Sequence, residues 1–165
     1  FEWIISEQYD CGITDVFSDH PAVECKRIPM KTVCIMSEGN TLGKKKFITP
    51  EDLVNEPMIH SRRDSAFYRK LEEVFTLHKV KINSWIETRQ FNSACMLVAE
   101  GRGISIVSEM DAREYESRGL IIKPFTPVIP HTLMLVRPKH TVLSTIALEF
   151  LDFFENSLEP FRLKS

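Results

Sequence analysis

The stretch Leu97–Glu109, LVAEGRGISIVSE, carries the reading of the fold. It continues a segment, Ser93 to Glu100, that is apolar nearly all round, so the pattern predicts a helix buried in a core. Gly101 and Gly103 stop that helix, and Ile104 to Val107 is a short buried strand. Ser108 then caps a further helix expected to run to Arg118. Helix, tight turn, buried strand and helix in so few residues point to an α/β domain.

The flanking segments keep the same alternation. Downstream, Leu120–Ile122 and Thr132–Val136 read as strands. After Pro138 a long amphipathic helix is expected from about Thr141 to Leu158, with Leu143, Ile146, Ala147, Phe150 and Phe154 facing inward. Upstream, Val80–Glu87 alternates as a strand, and Phe67, Leu71, Val74, Phe75 and His78 mark one face of a helix from Ser65 to His78. Met58 and Ile59 form a brief strand. Thr49-Pro50-Glu51-Asp52 supplies a cap, a proline at the first helical position and two early acids for a short helix that ends before Pro57. Earlier still come a loop, Ser37–Lys46, and two strands, Val23–Ile28 and Thr32–Met36, separated at Pro29. Before these lie a short buried strand at Asp10–Thr14 and a helix at Glu2–Gln8. Such alternation implies a largely parallel sheet covered by helices on both faces.

Composition excludes several classes. With 165 residues, 43% hydrophobic, 27% charged, 6 Gly and 9 Pro, the chain is globular rather than disordered. Its longest apolar run, Ala94–Ala99, is far short of the ~20 residues of a membrane-spanning helix, so no membrane partner is expected. Twenty-one basic against 23 acidic side chains leave a net charge of −2, the wrong balance for gripping DNA by counterion release. Cys11, Cys25, Cys34 and Cys95 form no CxxC pair, and free thiols in a reducing, cytoplasmic compartment explain them. The chain opens with Phe1, and Phe1, Trp3, Ile4 and Ile5 read as the remainder of a helix already under way, so an upstream segment is expected.

Catalytic signatures are missing from the sequence. The five histidines show neither HExxH nor zinc spacing, and there is no GxSxG, Walker loop or GxGxxG. Gly101-Arg102-Gly103 lacks a third glycine and follows a helix, the wrong side for a phosphate loop. Cys95 lies inside an apolar run, where a thiol is inert, and Lys44-Lys45-Lys46 beside Gly43 is a solvated loop tip. No enzyme, metal or cofactor is expected. In α/β sheets ligands sit beyond the carboxyl ends of strands, and three junctions qualify: Thr14-Asp15, His60 to Ser65, and Glu87 to Ser93. Each polar residue there is at home as a cap or in a solvated loop, but together they favour a binding crevice.

LVAEGRGISIVSE, the turn at Gly119-Leu120, the strand ending Lys123-Pro124-Phe125, Leu133–Pro138 and the closing helix resemble the C-terminal half of the effector-binding domain of LysR-type transcriptional regulators. Asp10–Thr14 resembles the family's Asp-x-Gly-Ile strand. His20-Pro21 with Glu24 resembles the start of the next strand, and ITPEDLVNEPMI from Ile48 to Ile59 resembles the segment crossing into the second lobe. Gly12-Ile13-Thr14-Asp15 looks closest to the branch sensing opines and basic amino acids. Ser108 stands where the family often has proline, and Asn40-Thr41-Leu42 replaces its usual His-Pro-Leu.

The resemblance implies a two-lobe periplasmic-binding-protein-like (type 2) α/β fold, each lobe a mostly parallel sheet flanked by helices, with two crossover strands as hinge. Lobe one would comprise residues 1–48 and 132–165, lacking its opening strand, helix and second strand, and lobe two residues 49–131. DNA would be bound only by an upstream winged helix-turn-helix. The expected function is effector sensing in a homodimer or homotetramer, with the Ser65–His78 helix and the following strand in the dimer contact. A stand-alone solute-binding protein of transport is the alternative. The effector site implied between the lobes comprises Thr14 and Asp15 on lobe one, and His60, Ser61, Arg62, Glu87, Arg89, Gln90, Phe91 and Asn92 on lobe two. Arginines beside helix N-termini suit a carboxylate, and Asp15 and Glu87 an ammonium, so an amino-acid-like ligand is expected. Arg62 and Arg63 are adjacent and should diverge.

Overall fold

The computed structural model describes residues 1–164. In chain order its first elements are α1 (Glu2–Ile5), β1 (Gly12–Thr14), β2 (Val23–Met30), β3 (Thr32–Ser37), β4 (Met58–Ser61), α2 (Ala66–Leu77) and β5 (Ser84–Thr88). There follow α3 (Phe91–Ala99), β6 (Ile104–Ser108), α4 (Glu109–Glu114), β7 (Leu120–Pro124), β8 (His131–Pro138) and α5 (Thr145–Leu158). The chain divides into two units, one formed by Phe1–Met30 with the segment from Thr132 onward, the other by Lys31–His131. The first crossing therefore falls at Met30, earlier than the expected position near residue 48. The cause is β3, whose residues Thr32–Met36 are buried as an inner strand of the second unit's sheet.

The second unit holds a five-stranded sheet in the order β5-β4-β6-β3-β7. β4 is parallel to β5 and β6, whereas β3 is antiparallel to β6 and β7, so the sheet is mixed rather than mostly parallel. Helical crossovers return the chain in the same direction, as α2 and α3 do here. Between β3 and β4 there are only 3-10 turns, at Thr41–Lys44 and Pro50–Leu53, and β3 is not bound by that rule. Strand alternation sorts β3 cleanly: Cys34 and Met36 face Phe67, Leu71 and Phe75 of α2, while Val33 and Ile35 face Ala94, Cys95 and Val98 of α3. The sheet is thus covered on both faces, as expected. At Gly103 (φ +146°) a Cβ would stand 2.4 Å from the Pro57 carbonyl oxygen, so only glycine lets the starts of β4 and β6 approach.

The first unit has a three-stranded sheet in the order β1-β8-β2, with β1 antiparallel to β8 and Gly12 opposite Val136. One of its buried clusters is Ile4, Val23, Met134 and Val136, and Ile28, Met30 and Leu135 are buried as well. Ion pairs Lys26–Glu155 and Arg137–Glu24 tie β2 to α5 and β8 to β2. α5 buries Ala147, Leu151 and Leu158; of the expected stripe Ala147 is buried and Phe154 half-buried, whereas Ile146 is 79% exposed, Phe150 also faces solvent and Leu143 precedes the helix. Apolar residues occupy so much of that helix that spacing alone did not select its phase.

Several boundaries move. Pro29 lies within β2, which runs through to Met30. α3 begins at Phe91 rather than Ser93, and α4 ends at Glu114, followed by a separate 3-10 turn at Glu116–Arg118. Ser108 precedes α4 but makes no side-chain capping bond. Thr49 and Asp52 do form a reciprocal capping box, on a 3-10 turn rather than an α-helix.

Candidate functional site

In the second unit β4 and β5 run parallel and end side by side, with His60 opposite Glu87 and Ser61 opposite Thr88. Each strand then turns into a helix. α2 is capped by Ser65, whose Oγ accepts from the Tyr68 N–H at 3.0 Å, and α3 follows Gln90, which supplies no side-chain cap. Two helix N-termini with their orphan N–H groups therefore open on one edge of one sheet, the carboxyl edge of β4 and β5. The third expected junction is not of this kind. Thr14 ends β1, its Oγ1 accepts from the Val16 N–H at 3.1 Å, and the chain continues without a helix into β2; Asp15 is exposed.

His60 is 2% exposed and fully engaged. Its Nδ1 lies 2.8 Å from the Ser61 carbonyl, an acceptor only, so Nδ1 carries a proton and donates; in the neutral ring Nε2 accepts from the Ser84 hydroxyl at 2.7 Å. Ser84 Oγ in turn accepts from Arg63 Nη2 at 3.2 Å, and the imidazole packs on Tyr68 with centroids 4.7 Å apart. The ring is a brace beneath the edge rather than a surface contact, since a buried polar group must find its partners inside.

The arginines diverge as expected. Arg62 turns back onto Asp64 through a two-point ion pair, which holds the Asp64 carboxyl below its ordinary value. Arg63 reaches Ser84 and stands 3.9 Å from Glu87. Arg89 makes no side-chain hydrogen bond or ion pair among the described residues, and it lies one turn position before the uncapped N-terminus of α3. Ser61 Oγ is 3.2 Å from Ser65 Oγ. With Ser65 donating, the Ser61 proton stays available to an acceptor.

Gln90 and Asn92 are exposed, and Asn92 Oδ1 accepts from the Ser93 N–H at 2.7 Å. Phe91 is half-buried and meets Phe67 and His131 edge-on at 5.1 and 4.9 Å, which makes an aromatic wall beside the α3 N-terminus. Sequence reasoning missed Ser84 and His131. Both stand at the first residue of a strand, where no motif or period marks them. Among the described residues no group of three or more His, Cys, Asp or Glu side chains could hold a metal ion, and no helix is long and apolar enough to cross a membrane.

Comparison with known proteins bears on this geometry. The chain is 31% identical over 158 residues to the transcriptional activator protein LysR of Escherichia coli K12, covering 95% of this chain and 51% of that protein. It spans about half the length of the curated relatives it matches. Among solved structures, a LysR family transcriptional regulator from Pseudomonas aeruginosa superposes with a TM-score of 0.78 at 17% identity, over 95% of this chain and 56% of that one. The effector binding domain of QuiR in complex with shikimate superposes with a TM-score of 0.72 at 18% identity, over 98% and 78%. The LysR substrate binding domain family matches residues 1–159, nearly the whole fold described above, and this chain belongs to that family.

Proposed function

We propose that the chain is the effector-sensing part of a LysR-type, DNA-binding transcriptional regulator and that it binds a small carboxylate or amino-acid-like molecule. The observation that carries the ligand assignment is the carboxyl edge of β4 and β5, where an uncommitted guanidinium, Arg89, stands beside the uncapped start of α3. A ligand carboxylate would take a charge-assisted bond from Arg89, backbone N–H groups from α3 and the Ser61 hydroxyl. Glu87, held only loosely by Arg63, answers an ammonium. Gln90 and Asn92 line the rim, Phe91 gives an apolar wall, and His60 positions Ser61 from below. Arg62, committed to Asp64, joins only by exchanging partners. Thr14 and Asp15 stay in the proposed set on the resemblance alone.

The same reading makes the role regulatory and non-catalytic, places the whole protein in the cytoplasm, leaves DNA to another domain of it, and has copies of this domain associate through the exposed face of α2. Membership of a regulator family favours this over a transport solute-binding protein. The test is calorimetric titration of small carboxylates and amino acids, with the tightest binder repeated on Arg89→Ala and Ser61→Ala. Each substitution should cost about 1–3 kcal/mol of binding with folding nearly intact. Undiminished affinity in both variants would remove this edge as the site.

A further inference from the structure

The opposite edge of the same sheet, where β4 and β6 begin, holds a concavity of about 430 Å³ that the effector reading does not use. Its polar lining is Ser37, Asn40, Glu56, Trp85 and Arg102. Its floor is bare backbone at Pro57, Gly101 and Gly103, kept free of side chains because a Cβ at Gly103 would collide with the Pro57 carbonyl. Opposite charges that share a concavity ordinarily pair. Here neither the Glu56 carboxylate nor the Arg102 guanidinium has a hydrogen-bond or ion-pair partner among the described residues, although Glu56 is half-buried. The Glu56 carboxylate is therefore free to answer a positive charge that enters the concavity. Trp85, 66% exposed on the sheet's edge strand, lines the same concavity. α3 also ends here, with Gly101 and Arg102 N–H groups capping only the Val98 and Leu97 carbonyls, and that carbonyl end favours positive charge.

We propose that this concavity is a second ligand site, for a small zwitterionic amino compound. Its carboxylate would pair with Arg102 and its ammonium with Glu56, while its apolar body lies on the Trp85 indole. The volume falls within the ordinary range for small-molecule pockets, roughly 300–1,000 Å³. The two charges set the class: an amine alone leaves Arg102 unanswered, and an acid alone leaves Glu56.

The experiment reads Trp85 fluorescence in a Trp3→Phe chain, which keeps one indole of the two in the sequence. The probes are L-leucine, 3-methylbutylamine and 4-methylpentanoate, which share an isobutyl body and differ in their charged groups. L-leucine should give a saturable change with a half-saturation at least about tenfold lower than either single-charge analogue, and Arg102→Gln or Glu56→Gln should each raise it by about tenfold or more. No saturable response, equal responses to all three probes, or a response that survives both substitutions would overturn the proposal. A change that follows protein concentration instead of leucine would also overturn it and assign Trp85 to contact with a second copy.

Discussion

The two units of this chain bury their apolar residues to very different degrees. In the second, helices lie on both faces of the sheet, and Cys34, Ile35, Met36, Met58 and Ile59 are all at 0% exposure. In the first, Ile28 and Met30 are also fully buried, but Trp3, Tyr9, Ile13, Val16, Ile146 and Phe153 face solvent. Alternating strands and helices build a dense core only where a sheet of sufficient width is covered on both sides. Three strands and one long helix leave much of the apolar surface open.

Thiol reactivity should separate the two units most strongly. Burial pushes the Cys95 thiol up to about 12, burial likewise raises Cys34, and both lie in the second unit's core. Cys11 and Cys25, in the first unit, are only partly buried. Maleimide labelling followed by mass spectrometry should therefore modify Cys11 and Cys25 in the native protein. Cys34 and Cys95 should react slower by roughly three orders of magnitude or more, the scale of a folding equilibrium. Native-rate labelling of Cys95 would show that the second core is loose.

Truncation is the next test. Phe75 is 1% exposed and stacks on Phe125 with rings 6.2 Å apart, so Phe75→Ala should cost about 3–5 kcal/mol in urea unfolding. Ile146→Ala, on the solvent face of α5, should stay within about 0.5 kcal/mol. Similar costs for both would mean that the face of α5 is covered in solution.

The smallest effect is electrostatic. A hydrogen bond from the His78 ring at 2.6 Å holds the Glu51 carboxyl down at about 2. A depressed carboxyl contributes stability above its ordinary value near 4.5 and loses it as pH falls toward 2. Thermal unfolding between pH 5 and pH 2 should thus show a slightly steeper loss in the natural chain than in Glu51→Gln. Parallel curves would exclude the pair as a contributor.

The features of the fold that were readable in advance are those fixed by neighbours in the chain. Gly101 and Gly103 ahead of a short apolar strand, Thr49 with Pro50 and Asp52, and the Phe67–Leu71–Phe75 stripe each encode their geometry within a few residues. The direction of β3 was not readable, because it depends on the missing helical crossover between β3 and β4. The phase of α5 was not readable either, since its apolar residues exceed any single face. Within the site, the placing of Ser61, Glu87 and Arg89 at one sheet edge followed from strand-to-helix junctions. The burial of His60 did not, because its partner Ser84 is 24 residues away and meets it only through the pairing of β4 with β5.

The sequence by itself determined the α/β class, the two covered faces of the larger sheet, the junctions where a ligand would be met and the divergence of Arg62 from Arg63. These follow from periodicity, glycine and proline placement and side-chain alternation, all local properties of the chain. Tertiary structure alone decided which arginine is left uncommitted, that Glu56 and Arg102 share a concavity without pairing, and which side of α5 is buried. Each of these depends on which partners residues distant in sequence find across the sheet, and hydrogen bonds, ion pairs and burial are set by that proximity.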